Sequence, residues 1–67
     1  MTLTTREFEI ITLLGDGLQD REIGEALYLS PKTVKFHLVS ARRKLGARNR
    51  THAVSLAYRA GILGDGA

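Results

Sequence analysis

Six residues between Lys32 and Arg43 are spaced to meet a polyanion. At about 100° per residue, Lys32, Lys35, Phe36, Val39, Arg42 and Arg43 share one side of a helix. Val34, Leu38, Ala41 and Leu45 fall on a narrow apolar sector opposite. Such a helix can anchor its stripe in a core and present cations with apolar contact groups outward. That combination suits insertion into a DNA major groove. The bland alternative is a solvated helix face that happens to be basic.

Charge distribution favours the sharper reading. The chain has 67 residues and a net charge of +3. Residues 1–29 hold six acids against Arg6 and Arg21, a net of −4. Residues 30–67 hold eight cations against Asp65 alone, a net of +7. A split of this kind points to a polyanionic partner on one side.

The remaining composition narrows the classes. The length fits a single domain, 1–67, with one modest core. There is no cysteine, so neither a disulfide nor a thiolate metal site can staple it. His37 and His52 lack a ligand arrangement around them, so no metal or cofactor is expected. No apolar run nears the roughly 20 residues that span a bilayer, and no charged leader precedes an apolar run. The expectation is a cytoplasmic protein with no membrane partner. No phosphate loop or nucleophile–base pairing is present, so an enzyme is not expected.

Four helices must position the basic face, over about 5–16, 20–28, 31–45 and 50–60, with no strand. Thr4 and Glu7 have capping-box spacing, and Ile10, Ile11 and Leu14 supply the first helix's buried stripe. Gly17 stops that helix, with Leu18 folding back onto Leu13. The second helix buries Ile23 and Leu27 behind a weak cap, Gln19. Ser30-Pro31 opens the third with a serine cap and a proline at the first position, and Gly46 closes it. Asn49 caps the fourth, whose apolar positions are Ala53, Val54, Leu56 and Ala57. Gly61 stops it, Ile62 can pack back, and the tail 64–67 is expected to fray. Glu22 and Arg50 are offered as a structural pair. Only Tyr28, Leu29 and the cap Ser30 separate the second and third helices, which forces a steep crossing. The result is a helix-turn-helix whose second helix is the basic one, the order in which the motif enters the groove.

At this point the chain resembles the LuxR-type (LuxR/FixJ/NarL-like) helix-turn-helix DNA-binding domain of bacterial transcription regulators. The matching residues are Leu3-Thr4, Arg6-Glu7, Glu9, Gly17-Leu18, Glu22-Ile23 and Leu27. Leu29-Ser30, Thr33-Val34-Lys35, His37, Lys44-Leu45-Gly46, Arg50, Ala53-Val54 and Ala57 complete them, covering about 3–63. Gly24 departs from the family's usual alanine, and Tyr28 stands where helix-turn-helix proteins often use glycine. If Tyr28 has positive φ, it is strained. Phe36 stands where the family varies and often has a polar residue. The segment 22–27 is also similar to region 4 of bacterial sigma factors.

The resemblance implies sequence-specific binding of double-stranded DNA by a transcription regulator, with RNA polymerase as a further candidate partner. Lys35 and Phe36 match the family's base-reading positions, and Val39, one turn beyond Lys35, can reach another base edge. Lys32 and Thr33, at a helix N-terminus, and Arg42, Arg43 and Lys44 are candidates for phosphate. The three late cations can instead serve the helix C-terminus. His37 reads as an orienting residue. Val54 and Tyr58 form a second apolar pair on an adjoining face of the fourth helix, with Thr51 one turn earlier. The family commonly pairs that helix with its two-fold mate, so a homodimer on DNA is expected. The alternative is that Val54 and Tyr58 cover the domain's own core. Two other readings stay open: a protein-interaction module that has lost DNA binding, and a sigma region 4-like promoter-binding domain. Either an excised module or a natural single-domain regulator fits a Met1 placed directly before the motif.

Overall fold

The chain forms four helices, α1 (Thr5–Gly15), α2 (Asp20–Leu27), α3 (Pro31–Leu45) and α4 (Arg50–Arg59). They come from a computed structural model that describes residues 2–63. The tail expected to fray lies outside the described residues. Among the described residues there is no strand, and no helix is long and apolar enough to cross a membrane.

Caps fix the helix ends. Thr4 Oγ1 accepts from the Glu7 amide at 3.1 Å, and Glu7 Oε1 accepts from the Thr4 amide at 2.9 Å. At α2, Glu22 Oε1 accepts from the Gln19 amide at 2.7 Å, which compensates for the weak cap residue. Ser30 Oγ accepts from the Thr33 amide at 3.1 Å, and Asn49 Oδ1 from the His52 amide at 2.8 Å. His52 reciprocates by accepting from the Arg48 amide through Nδ1 at 2.9 Å. Beyond the ends of α1, α3 and α4, an amide two or three positions on returns to the last turn. The pairs are Leu18 to Leu13, Ala47 to Arg42 and Ile62 to Ala57.

The core sits where α3 meets all three other helices. Ile10, Ile11, Ile23, Val34, Ala41, Ala53 and Ala57 are fully buried, joined by Leu38 and Leu63. The predicted stripes therefore face inward, with Leu14, Leu27, Leu45, Val54 and Ile62 partly buried at the margin, except that Leu56 of the fourth helix is half-buried without packing on this core. Leu63 adds a core residue just beyond the expected packing of Ile62. α1, α2 and α4 each end one residue short of the predicted limits, because Asp16, Tyr28 and Ala60 act as caps.

The turn between α2 and α3 is tight. Gly24 is buried, and a Cβ there would collide with the Leu29 carbonyl oxygen. Glycine thus gives the turn room that the family's usual alanine would occupy. Tyr28 ends α2 with φ 59°, ψ 42°, in the left-handed region, and its side chain is 95 % exposed. A non-glycine residue there costs about 1–2 kcal/mol, and the exposed ring recovers little of it through packing. Tyr28→Gly is expected to stabilise the domain by about 0.5–1 kcal/mol once glycine's greater unfolded-state entropy is counted. Urea unfolding checks this, and a loss of stability would mean the ring holds contacts the strain argument ignores.

Candidate nucleic-acid interface

The pitch of α3 puts its buried stripe on one side and its cations on the other. Lys32, Lys35, Phe36, Val39, Ser40, Arg43 and Lys44 line one open concavity of about 600 Å³. Lys32, Lys35, Phe36 and Arg43 are exposed, and Val39 is half-buried. Six of the eight residues expected to contact bases or phosphates, Lys44 among them, therefore lie together here. Phe36, 71 % exposed, sets its ring edge-on to His37, with centroids 5.7 Å apart and planes at 71°. His37 is half-buried beside it.

The other expected contacts stand differently. Thr33 lies at the helix start, where its Oγ1 accepts from Ser30 Oγ at 2.9 Å. Arg42 does not line the concavity. Its Nη1 lies 3.5 Å from the Ala47 carbonyl and 3.4 Å from that of Arg48, so it braces the loop after α3. Lys44 lines the rim, but its Nζ donates to Glu7 Oε1 at 2.8 Å.

Glu7 supports this face from within, a role that its capping-box spacing does not reveal. It is 3 % exposed, the one charged side chain among the buried residues described. Burial pushes its carboxyl up. Hydrogen bonds from Lys44 and the Thr4 amide, with the nearby Ser40 hydroxyl and the charge of Lys44, outweigh that and hold it at about 2. The pair ties the start of α1 to the last turns of α3. A signal was present: Glu7 begins the same 7, 10, 11, 14 stripe as Ile10, Ile11 and Leu14. The capping box satisfies this carboxylate locally, so the local pattern does not disclose its burial.

The offered Glu22–Arg50 pair is corrected. Arg50 grips Asp20 instead, Nη1 to Oδ1 at 2.8 Å and Nη2 to Oδ2 at 3.2 Å. Glu22 is already accepting from Gln19, while Asp20 and Arg50 are the first residues of α2 and α4. The Arg50 side chain is 45 % exposed, so the bridge contributes no more than about 1 kcal/mol.

On α4, Thr51 is exposed and Tyr58 is 45 % exposed. Val54 is half-buried against the core margin. Thr51 and Val54 line a shallow groove with Leu14, Gly15 and Arg50.

A short turn carrying a second, basic helix outward defines a helix-turn-helix domain. The family described as "Bacterial regulatory proteins, luxR family" matches residues 1–57, and the chain belongs to it. It is 51% identical over 61 residues to the transcriptional activator protein BjaR1 of Bradyrhizobium diazoefficiens, covering 91% of this chain and 25% of that protein. Over 52 residues it is 50% identical to the transcriptional regulatory protein DegU of Brevibacillus brevis, covering 78% and 22%. Among solved structures, the transcription factor GerE superposes with TM-score 0.87 at 35% identity, covering 96% of this chain and 97% of that one. The response regulator ChrA of a heme-sensing two-component system gives TM-score 0.89 at 40% identity, covering 94% and 31%. The chain thus spans about a quarter of the length of the regulators BjaR1 and DegU. Its relatives are transcription regulators, and it is a DNA-binding domain of their type.

Proposed function

We propose that this domain binds double-stranded DNA sequence-specifically for a bacterial transcription regulator, by recognition and not by catalysis. α3 enters the major groove, Lys35, Phe36 and Val39 meet base edges, and Lys32, Thr33 and Arg43 hold phosphates. The observation that carries this reading is the concavity on α3, which gathers Lys32, Lys35 and Arg43 with Phe36 and Val39 outside the core. Lysine donates to guanine O6 and N7, while the first turn of α3 offers its amides and positive dipole end to phosphate. Arg42 and Lys44 act as internal supports, and either would have to leave its partner to reach DNA. A cytoplasmic site of action and contact with RNA polymerase fit the same reading.

α4 supplies the two-fold contact in this proposal. Ala53 and Ala57 face the core, while Thr51 and Tyr58 remain exposed on the adjoining face and Val54 lies between. Two short helices bury little area, so the isolated domain is expected to pair on DNA and not in free solution. Pairing would set two recognition helices in successive major grooves. Selection of bound duplexes from a random pool should therefore enrich a roughly palindromic pair of half-sites, about one helical turn apart. A pool that stays unenriched contradicts sequence-specific binding.

Val54→Asp separates the roles of α4. The expected variant is folded, binds a single half-site normally and loses cooperativity on the full palindrome. Circular dichroism and titrations on both duplexes check it. Unfolding would assign Val54 to the core, and intact cooperativity would remove it from the contact.

A further inference from the structure

We infer that Phe36 and Val39 form a seat for the C5-methyl group of a pyrimidine, so that the domain distinguishes methylated from unmethylated pyrimidines at one position in each half-site. This rests on the proposal that α3 enters the major groove.

Phe36 is not part of the core, and neither is Val39. The ring is 71 % exposed, an unusual place for so large an apolar group. Its edge contact with His37 steadies it from one side and leaves its surface open. Val39, three residues on, lies on the same concavity about one helical turn along. Lys32, Lys35 and Arg43 line the same concavity. An occupant must therefore offer both negative charge and an apolar group. A second copy of this face would set cations against cations. The major groove of DNA meets both conditions, because phosphates border it and the C5-methyl of thymine is the apolar group on its floor. 5-Methylcytosine presents a methyl at the same ring position. Lys35, adjacent to Phe36, would place a guanine contact close to the methyl-bearing base.

The test uses the native domain and its selected duplex. Each thymine is replaced in turn by deoxyuridine, which removes only the methyl group. One thymine per half-site should respond with about a three- to fivefold loss of affinity, the worth of one buried methyl-sized group. With cytosine at that position, 5-methylcytosine should bind better than cytosine by a similar factor. Phe36→Ala should weaken the thymine duplex and erase the thymine–uracil difference, while Lys35→Ala should retain it. If no thymine responds to uracil while the duplex itself is bound tightly, the methyl seat is wrong and the DNA reading stands. An undiminished uracil effect in Phe36→Ala also overturns the seat. Self-association that Phe36→Ala abolishes, with uracil silent, would assign the ring to a second copy. Failure to bind any duplex at low salt would remove the DNA reading itself.

Discussion

Replacing Lys44 with methionine is expected to destabilise the domain by roughly 2–3 kcal/mol, a large share of what a chain this small has to lose. The reason lies in its partner. Glu7 is almost fully buried, and Lys44 supplies its one cationic contact, at 2.8 Å. Methionine fills similar space but leaves an unpaired carboxylate beside the core. The Lys44 side chain is 26% exposed, which keeps the figure below that for a fully buried pair.

Acid gives a second signature. The Glu7 carboxyl falls from 4.5 to about 2 on folding, so the folded state favours the ionised form. Its contribution to stability is present above pH 4.5 and is lost as pH falls from there toward 2. In Lys44→Met, burial acts with less opposition, and the folded state tolerates protonation better. The stability gap between native and variant domains should narrow on acidification. Urea unfolding from pH 7 to pH 3 measures it. A constant gap would mean that Lys44 stabilises through packing of its stem and not through Glu7.

Salt should have a comparably large effect on binding. About three to five phosphate contacts give a log–log slope of roughly −2.7 to −4.5 per subunit. Raising monovalent salt from 50 to 200 mM then weakens binding by about 40- to 500-fold. The lower figure counts Lys32, Lys35 and Arg43 alone, and the upper adds Arg42 and Lys44, which have partners inside the domain. Fluorescence anisotropy with a short duplex is sufficient. A flat salt profile would contradict the assignment of Lys32 and Arg43 to phosphates.

Local chemistry made much of this fold legible. Ser30-Pro31 and Gly46 delimit α3 because each satisfies a backbone requirement that few residues meet as well. The inward stripes followed from helical period alone. Ends were less legible where a cap has ordinary helical angles, as at Asp16 and Ala60. Long side chains were the least legible. Lys44 and Arg43 are adjacent and chemically alike, yet one turns to Glu7, 37 positions earlier, and the other stays exposed. Arg50 likewise chose Asp20 over Glu22, because Glu22 was engaged by the local cap. Such choices depend on how helices cross, which a one-dimensional pattern does not contain.

Reading and positioning differ in how they treat sequence, so the central claim rests on the ratio of affinities for selected and scrambled duplexes. That ratio should be measured for the native domain, Lys35→Ala and Lys32→Ala at one salt concentration. Lys35→Ala should lower affinity for the selected duplex by about 1–3 kcal/mol, change the scrambled duplex little and relax preference at one base pair. Lys32→Ala should weaken both duplexes about equally and leave the ratio intact. If Lys35→Ala weakens both to the same extent, α3 does not read bases through Lys35, and the account of this face as a sequence reader is wrong.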